Sequence, residues 1–149
     1  LVRITAGTAQ WHDGGLGRNA LAEGLAVRET TTERDALLLA GPRSREVLEG
    51  LTDADLSLPW LSHQHCTVAG KKAFLIRVSF TGELGWEIHG EDDAIPAIYD
   101  ALIEKGVKPF GMYALNSLRV EKGYRAWQGD LSTDYPMRDA LSPINTSSV

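Results

Sequence analysis

Segments of alternating or continuous apolar residues predict a set of strands along most of the chain. The run from Ala36 to Ala40 is apolar throughout, which is typical of a strand buried on both faces. Two further segments are separated only by Gly70 and Lys71 and predict a hairpin with these two residues as its turn. The predicted strands are 1–7, 26–32, 35–40, 64–69, 72–79 and 84–89.

Apolar positions three and four residues apart predict helices between and after these strands. Pro42 opens a first helix, because proline suits the first helical position. A second helix is capped by Asp92 or Asp93 and ends at Gly106, and a third covers 112–122 before Gly123. The buried faces are expected to contain Val47, Leu48 and Leu51 in the first helix, and Ile95, Ile98, Tyr99 and Leu102 in the second. With a weak helix at 19–23, this order predicts an α+β domain with helices packed on a mixed or antiparallel sheet.

Composition narrows the class of protein. The chain has 149 residues, of which 43% are hydrophobic and 23% charged, as in an average soluble domain that can bury a real core. No apolar run is long enough to span a membrane, and the net charge of -5 argues against a general nucleic-acid binder. Cys66 is the single cysteine, which favours a reducing compartment: the cytoplasm, or the mitochondrial matrix in a eukaryote. The chain opens inside a predicted strand, so we expect it to be part of something longer, and 141–149 to form a flexible tail.

The strand at 84–89 carries the chemistry of most interest. Alternation places Leu84, Trp86 and Ile88 on one apolar face. The other face presents Glu87 and His89 beside a glycine, Gly85, which would let a flat ligand approach the backbone. A carboxylate accepts two parallel N–H bonds from a guanidine-like edge, such as that of a pterin or guanine. The alternative is an ordinary solvated face on which neither side chain has a special role.

The last predicted helix contains a second candidate, Arg119, on the same face as Asn116. Arg119 is able to bind a carboxylate ligand or to pair with Glu87 or another acid. The alternative is a structural ion pair. Residues 123–130 are both aromatic and polar, which suits a cleft wall and equally a helix-exit loop packed on the core.

Other polar and glycine-rich features predict no site. His63 and His65 could bind a metal from one strand, but no third ligand has a suitable spacing, so no metal is expected. The glycines at 14–17 predict a turn, since they match no phosphate-binding loop. Cys66 is interpreted as a small buried side chain.

Two longer motifs resemble a known family. The segment from Phe80 to His89, FTGELGWEIH, resembles the Tyr-x-Gly-Glu-x-Gly-aromatic-Glu signature of the glycine-cleavage T-protein, or aminomethyltransferase, family. Residues 110–127, with 41–45 and 51–56, are similar to the folate domain of dimethylglycine and sarcosine dehydrogenases or oxidases. The resemblance covers about residues 1–140 and implies a partial folate-binding domain that corresponds to the central lobe of a three-lobed fold.

The resemblance implies tetrahydrofolate as cofactor and a set of binding residues. Glu87 would receive the amino edge of the pterin, with Ile88 and His89 lining the same site. Arg119 would lie near the folate tail or the glutamate cluster. The remaining cofactor-binding residues implied are Phe80, which replaces the signature tyrosine and lacks its hydroxyl, and Trp127.

The resemblance also implies a function for the whole protein: transfer of an aminomethyl or methylene unit to tetrahydrofolate in dimethylglycine, sarcosine or glycine catabolism. The family's catalytic aspartate lies upstream of Leu1, so no catalytic residue is expected here, and we expect the chain alone to have little or no activity. Its expected partners are folate and the missing N- and C-terminal lobes, or a second copy of the chain. Two alternatives stay open: a folate-dependent sulfonium demethylase, and a truncated, non-catalytic paralogue that serves as an interaction or folding module.

Overall fold

The structure, a computed structural model, describes residues 31–126 and 129–131, together with Gly24, Arg28 and Thr30. The chain divides into two compact units, Leu1–Thr31 and Thr32–Val149, and every helix and strand described below belongs to the second. Four predictions lie wholly outside the described residues: the strand at 1–7, the turn at 14–17, the helix at 19–23 and the tail. The strand predicted at 26–32 is wrong where the structure describes it, because residues 28 and 30 lie in no strand and Thr31 and Thr32 form a turn before the strand Arg34–Ala40. The predicted domain range of 1–140 stays a prediction.

Four strands and three helices form the described part of this unit. In chain order they are β1 (Arg34–Ala40), α1 (Ser44–Leu48), β2 (His63–Val68), β3 (Lys71–Ile76), β4 (Gly85–Glu91), α2 (Ile95–Glu104) and α3 (Met112–Lys122). The strands form one sheet in the order β1-β4-β3-β2, and every neighbouring pair is antiparallel. The predicted α+β class is therefore confirmed, with the antiparallel form of the sheet. In the described part of the chain, no helix is long and apolar enough to cross a membrane.

One face of the sheet packs on the hydrophobic core. Trp86 and Ile88 of β4 and Leu75 of β3 are fully buried there, and they meet buried side chains from the helices. Those helical residues are Leu48 from α1 and Ile98 and Leu102 from α2. Alternation along β4 thus selects which residues enter the core, as the sequence predicted.

Strand β1 differs from its prediction. A strand buried on both faces was expected from its apolar run, but only Leu39 is buried, while Leu37 and Leu38 are half-buried and Ala36 is exposed. The reason is its position at an edge of the described sheet, where β4 is its neighbour on one side only. An apolar run therefore indicates strand formation here but not complete burial.

Several element boundaries differ by a few residues. The hairpin turn is Ala69-Gly70, one residue earlier than predicted, and both residues have the positive φ angles (50° and 73°) that a type I′ turn requires. Strand β3 ends at Ile76, three residues before the predicted end. The Arg77 N–H still donates across to the Ser62 carbonyl at 2.8 Å, but the Val78 N–H turns back and donates to the Ile76 carbonyl at 3.1 Å.

Helix α2 also begins differently. Its N-cap is Ala94 and no side chain caps it, so the predicted caps Asp92 and Asp93 are wrong. Pro96 lies in its first turn, where no N–H bond is lost. Tyr99, expected in the buried face, is 41% exposed. Helix α3 has the predicted bounds and ends at Gly123, whose φ of 84° forms a left-handed cap.

The free edge of β2 is covered at its C-terminal end by the loop that follows α1. The Thr52 hydroxyl donates to the Thr67 carbonyl at 2.6 Å, and the Asp53 carboxylate accepts from the Thr67 N–H at 2.6 Å. These two side-chain bonds satisfy both backbone groups that Thr67 turns away from β3. They take the place of a further strand at this end of the edge.

Candidate functional site

The face of the sheet opposite the core, here called the outer face, carries the carboxylate and imidazole that the sequence singled out. Cross-strand register places Glu87 between Leu38 and Ile76. His89 lies between Ala36 and Phe74. His63 and His65 extend the same face along β2. The prediction that Glu87 and His89 share a face is thus confirmed by the register.

Glu87 and His89 contact each other directly. The imidazole Nε2 lies 3.0 Å from Oε2 of the carboxylate. The His89 side chain is 12% exposed and the Glu87 side chain 39% exposed, so the imidazole is held while the carboxylate reaches solvent. Phe74 packs edge-on against His89, with ring centroids 6.3 Å apart. An ionised carboxylate has about four acceptor positions. The contact with His89 therefore leaves Glu87 able to accept two further parallel bonds.

Ile88 does not share this surface. It is fully buried on the core face, where it pairs with Leu37 and Leu75 across the sheet. The resemblance implied that Ile88 lines the same site as His89, and the structure does not bring the two together. Neighbouring residues of a strand point to opposite faces, so Glu87 and Ile88 cannot both face one ligand on the sheet.

Gly85 has a different role from the one that its position suggested. A Cβ on Gly85 would lie 2.8 Å from Cβ of Ser79 and 2.9 Å from the Val78 carbonyl oxygen. The missing side chain therefore makes room for the protein's own backbone. The sequence interpretation, in which this glycine let a flat ligand approach, is wrong because Val78 and Ser79 already fill that space.

Arg119 lies in a network at the C-terminal end of α3 and is only 7% exposed. Its Nε donates to the Asn116 side-chain oxygen at 2.8 Å, and its Nη1 donates to the Tyr124 carbonyl at 2.9 Å and to the Asp130 carboxylate. Glu87 is not among these partners. These contacts match the structural ion pair, one of the two interpretations of Arg119. Residues 123–126 and 129–130 form a helix-exit loop that the bonds from Arg119 hold against α3.

Acid should weaken this exit loop. The Ala126 N–H and then the Arg119 guanidinium hold the pKa of Asp130 below its ordinary value of 3.8. The charged carboxylate is favoured by folding, so its contribution is present above that ordinary pKa and is lost as the pH falls through the lower, folded pKa. We expect D130N to flatten the fall in melting temperature as the pH drops below the ordinary pKa of 3.8, relative to the parent chain. Identical pH profiles for the two proteins would contradict this role.

Phe80 lies where the two motifs that carry the family resemblance meet. Its ring stacks on Tyr124, with centroids 6.2 Å apart and planes 11° from parallel, and Phe80 is 37% exposed. Nearby, Gly82 packs so closely on the Lys122 side chain that a Cβ would clash. The signature turn thus rests on the end of α3. Trp127, the last of the expected binding residues, lies outside the described residues.

The histidines of β2 frame a phenylalanine. The rings of His63 and His65 lie 5.0 and 4.9 Å from that of Phe74. Among the residues that the structure describes, no three His, Cys, Asp or Glu side chains are grouped to hold a metal ion. Cys66 is half-buried, and this burial raises the pKa of its thiol. That environment favours the neutral thiol over the reactive thiolate.

Sequence reasoning missed one charged side chain, Arg77. It lies 6% exposed on the core face, with its guanidinium carbon 5.3 Å from the ring centroid of Trp86. The signal was present in the pattern, because Ala73, Leu75 and Arg77 alternate onto the same face. Arginine is rarely buried in proteins, so an arginine that alternates with core residues is a candidate binding residue.

Comparison with known proteins gives a consistent set of relatives. Dimethylglycine dehydrogenase from Rattus norvegicus, a mitochondrial protein, is 36% identical over 141 residues, which cover 88% of this chain and 16% of that protein. Aminomethyltransferase from Thermus thermophilus is 42% identical over 119 residues, or 77% of this chain and 34% of that protein. The chain thus spans about a third of the aminomethyltransferase, and less of the dehydrogenase.

Two further comparisons concern structure and family. A chain of heterotetrameric sarcosine oxidase from Corynebacterium sp. U-96 matches 74% of this chain and 56% of its own length, with a TM-score of 0.49 and 20% identity. The family described as the GCVT N-terminal domain matches residues 1–141, nearly the whole sequence. This protein therefore belongs to the GCVT N-terminal domain family.

Proposed function

We propose that this chain provides the folate-facing sheet of a protein that transfers one-carbon units to tetrahydrofolate during the breakdown of dimethylglycine, sarcosine or glycine. The observation that carries the proposal is the Glu87 carboxylate, 39% exposed on the outer face and still able to accept two parallel bonds. The names of the relatives, dimethylglycine dehydrogenase and aminomethyltransferase, support the substrate class.

The residues of the outer face would act by binding and orientation. Glu87 accepts two N–H bonds from the guanidine-like edge of the pterin, an arrangement that fixes both position and angle. His89 holds the carboxylate in place through its 3.0 Å contact, so little side-chain freedom is lost when the ligand binds. Tetrahydrofolate, when bound, supplies the atom that accepts the one-carbon unit. Correct placement of that acceptor is expected to supply much of the rate.

A chimeric enzyme distinguishes this proposal from the alternative that the chain is a non-catalytic interaction module. The segment of this chain that matches the Thermus thermophilus aminomethyltransferase, 77% of its length, replaces the corresponding segment of that enzyme, which supplies the remaining parts of the fold. Calorimetric titration with 5-formyltetrahydrofolate is then made with this chimera and with the 149-residue chain. Binding by a folded chimera supports the folate surface. A folded chimera that does not bind, beside a parent enzyme that does, refutes it and favours the module.

Within that chimera, Glu87→Gln tests the assigned carboxylate. The amide keeps the size of the side chain but replaces an acceptor oxygen with a donor, so we expect a loss of about 1–3 kcal/mol, or roughly 5- to 150-fold in Kd. Glu91→Gln is the matched control, since it removes the same charge from an exposed position two residues beyond His89 on the same strand. If the two variants bound 5-formyltetrahydrofolate with equal affinity, Glu87 would not be a binding residue.

A further inference from the structure

Two buried N–H groups on the core side of the sheet have no acceptor among the residues that the structure describes. They are Nε of Arg77 and Nε1 of Trp86. Nine in ten or more buried polar groups in proteins are hydrogen-bonded, because leaving a donor without a partner costs free energy. Two such donors in neighbouring side chains point to an acceptor that binds between them.

The two side chains are in contact, and their surroundings are positive. The Arg77 guanidinium lies over the Trp86 ring, and its only acceptor within the described residues is the Gly85 carbonyl, 3.5 Å from Nη1 and at the limit of a hydrogen bond. Arg77 forms no ion pair with any described residue. Burial lowers the pKa of Arg77, and repulsion from Arg45 lowers it further. A buried cation near a second cation is costly, and an anion would relieve both charges.

The backbone around Arg77 is fixed before any ligand arrives. The Arg77 N–H donates to the Ser62 carbonyl and the Arg77 carbonyl accepts from the Leu61 N–H, both at 2.8 Å. Leu61 is held at a φ of 62°, an unfavourable value for a leucine that the loop nevertheless maintains. On the other side, Gly85 packs closely against Val78 and Ser79, so that a Cβ there would lie within 3 Å of both. The guanidinium therefore extends from a rigid base, which lowers the entropy cost of binding.

We propose that Arg77 and Trp86 form a binding site for a carboxylate anion, with Arg45 at its edge. A planar carboxylate offers two oxygens in one plane, which match one guanidinium N–H and one indole N–H. Arg77 keeps 6% of its surface exposed and Trp86 keeps none, so a ligand meets the arginine first. The site lies on the opposite face of the sheet from Glu87 and does not depend on the proposed folate surface.

Nuclear magnetic resonance of the tryptophan indole groups tests this site in the whole chain. The four tryptophans give four indole N–H signals, and the signal of Trp86 is identified by its loss in Trp86→Phe. Acetate and sarcosine are titrated at constant ionic strength, with sarcosinamide as the matched ligand that lacks a carboxylate. We expect acetate and sarcosine to move the Trp86 signal downfield and to saturate at a concentration on the order of millimolar, and sarcosinamide to leave it unchanged.

Three variants distinguish the proposed contacts from a general salt effect. Arg77→Gln should abolish the saturable shift, and Arg45→Gln, on the exposed surface of α1, should weaken it about two- to fivefold without disturbing the core. Arg43→Gln, which removes an exposed charge paired with Glu46, should leave the shift unchanged.

Other outcomes of the same titration would overturn the proposal. A Trp86 signal that does not respond, or that responds linearly without saturation, excludes the site. If the Trp86 signal shifted equally in Arg45→Gln, Arg43→Gln and the parent chain, the shift would reflect a general effect of salt and not binding beside Arg45. Inorganic phosphate binding more tightly than acetate would show a site for tetrahedral anions and not for carboxylates.

Discussion

Replacing Ile88 by alanine should lower the free energy of unfolding by about 2–5 kcal/mol. Ile88 is fully buried, lies between Leu37 and Leu75 in the sheet and belongs to the main core cluster. Removing three carbons there loses the transfer free energy of those atoms and leaves a cavity that the rigid strands cannot close. Small domains are stable by only about 5–15 kcal/mol, so the variant would lose a large fraction of the total.

Ile103→Ala is the matched control for this measurement, because Ile103 lies on α2 with 37% of its surface exposed. Urea unfolding followed by circular dichroism would give both values. We expect the Ile103 variant to lose less than half as much stability as the Ile88 variant. Similar losses at the two positions would contradict the assignment of Ile88 to the core and reopen its place on a ligand surface.

Gly85→Ala should destabilise the fold by about 3 kcal/mol, at the upper end for added volume in a packed site. The new methyl group would lie 2.8 Å from Cβ of Ser79 and 2.9 Å from the Val78 carbonyl oxygen, and real contacts of this kind are longer. One obstacle is backbone, so relief requires β4 or the segment after β3 to move. Folate affinity in the chimera should fall as well, since the displaced strand carries Glu87.

Gly111→Ala provides the comparison for Gly85. Gly111 has a φ of -101°, and a Cβ there meets no atom within 4 Å. Alanine at this N-cap should therefore cost less than about 1 kcal/mol, because the N-cap preference for glycine is offset by the smaller backbone entropy that alanine loses on folding. If thermal unfolding showed equal effects at the two glycines, the close approach of Val78 and Ser79 to β4 would not be what requires a glycine.

Local patterns predicted the parts of the fold that depend on local physics. Alternation along β4 was enough to place Trp86 in the core and Glu87 on the outer face. The end of α3 followed from Gly123, whose backbone freedom acts within a few residues. Features set by distant contacts were not predicted. The acidic partner of Arg119 is Asp130, in a loop eleven residues later, and nothing in helical spacing identifies it.

Sequence reasoning also failed where tertiary packing changed the meaning of a local signal. Gly85 was assigned a role toward a ligand because a missing side chain makes space, yet only the fold shows that Val78 and Ser79 fill that space. Arg77 was overlooked because a charged residue is ordinarily outside. Its position over Trp86 depends on the register of β3 with β4, which the composition of neither strand specifies.

The hydrogen bonds from Thr52 and Asp53 to Thr67 affect whether molecules of this protein associate through the edge of β2. An open strand edge templates growth by other chains, which is the first step toward fibrils and swapped oligomers. With its N–H and carbonyl already bonded, Thr67 offers nothing to an incoming strand. Because the Thr67 amide lowers the pKa of Asp53, this protection persists into mildly acidic conditions. A strand of another molecule that added to this edge of β2 would have to form its backbone hydrogen bonds with His63 and His65 alone.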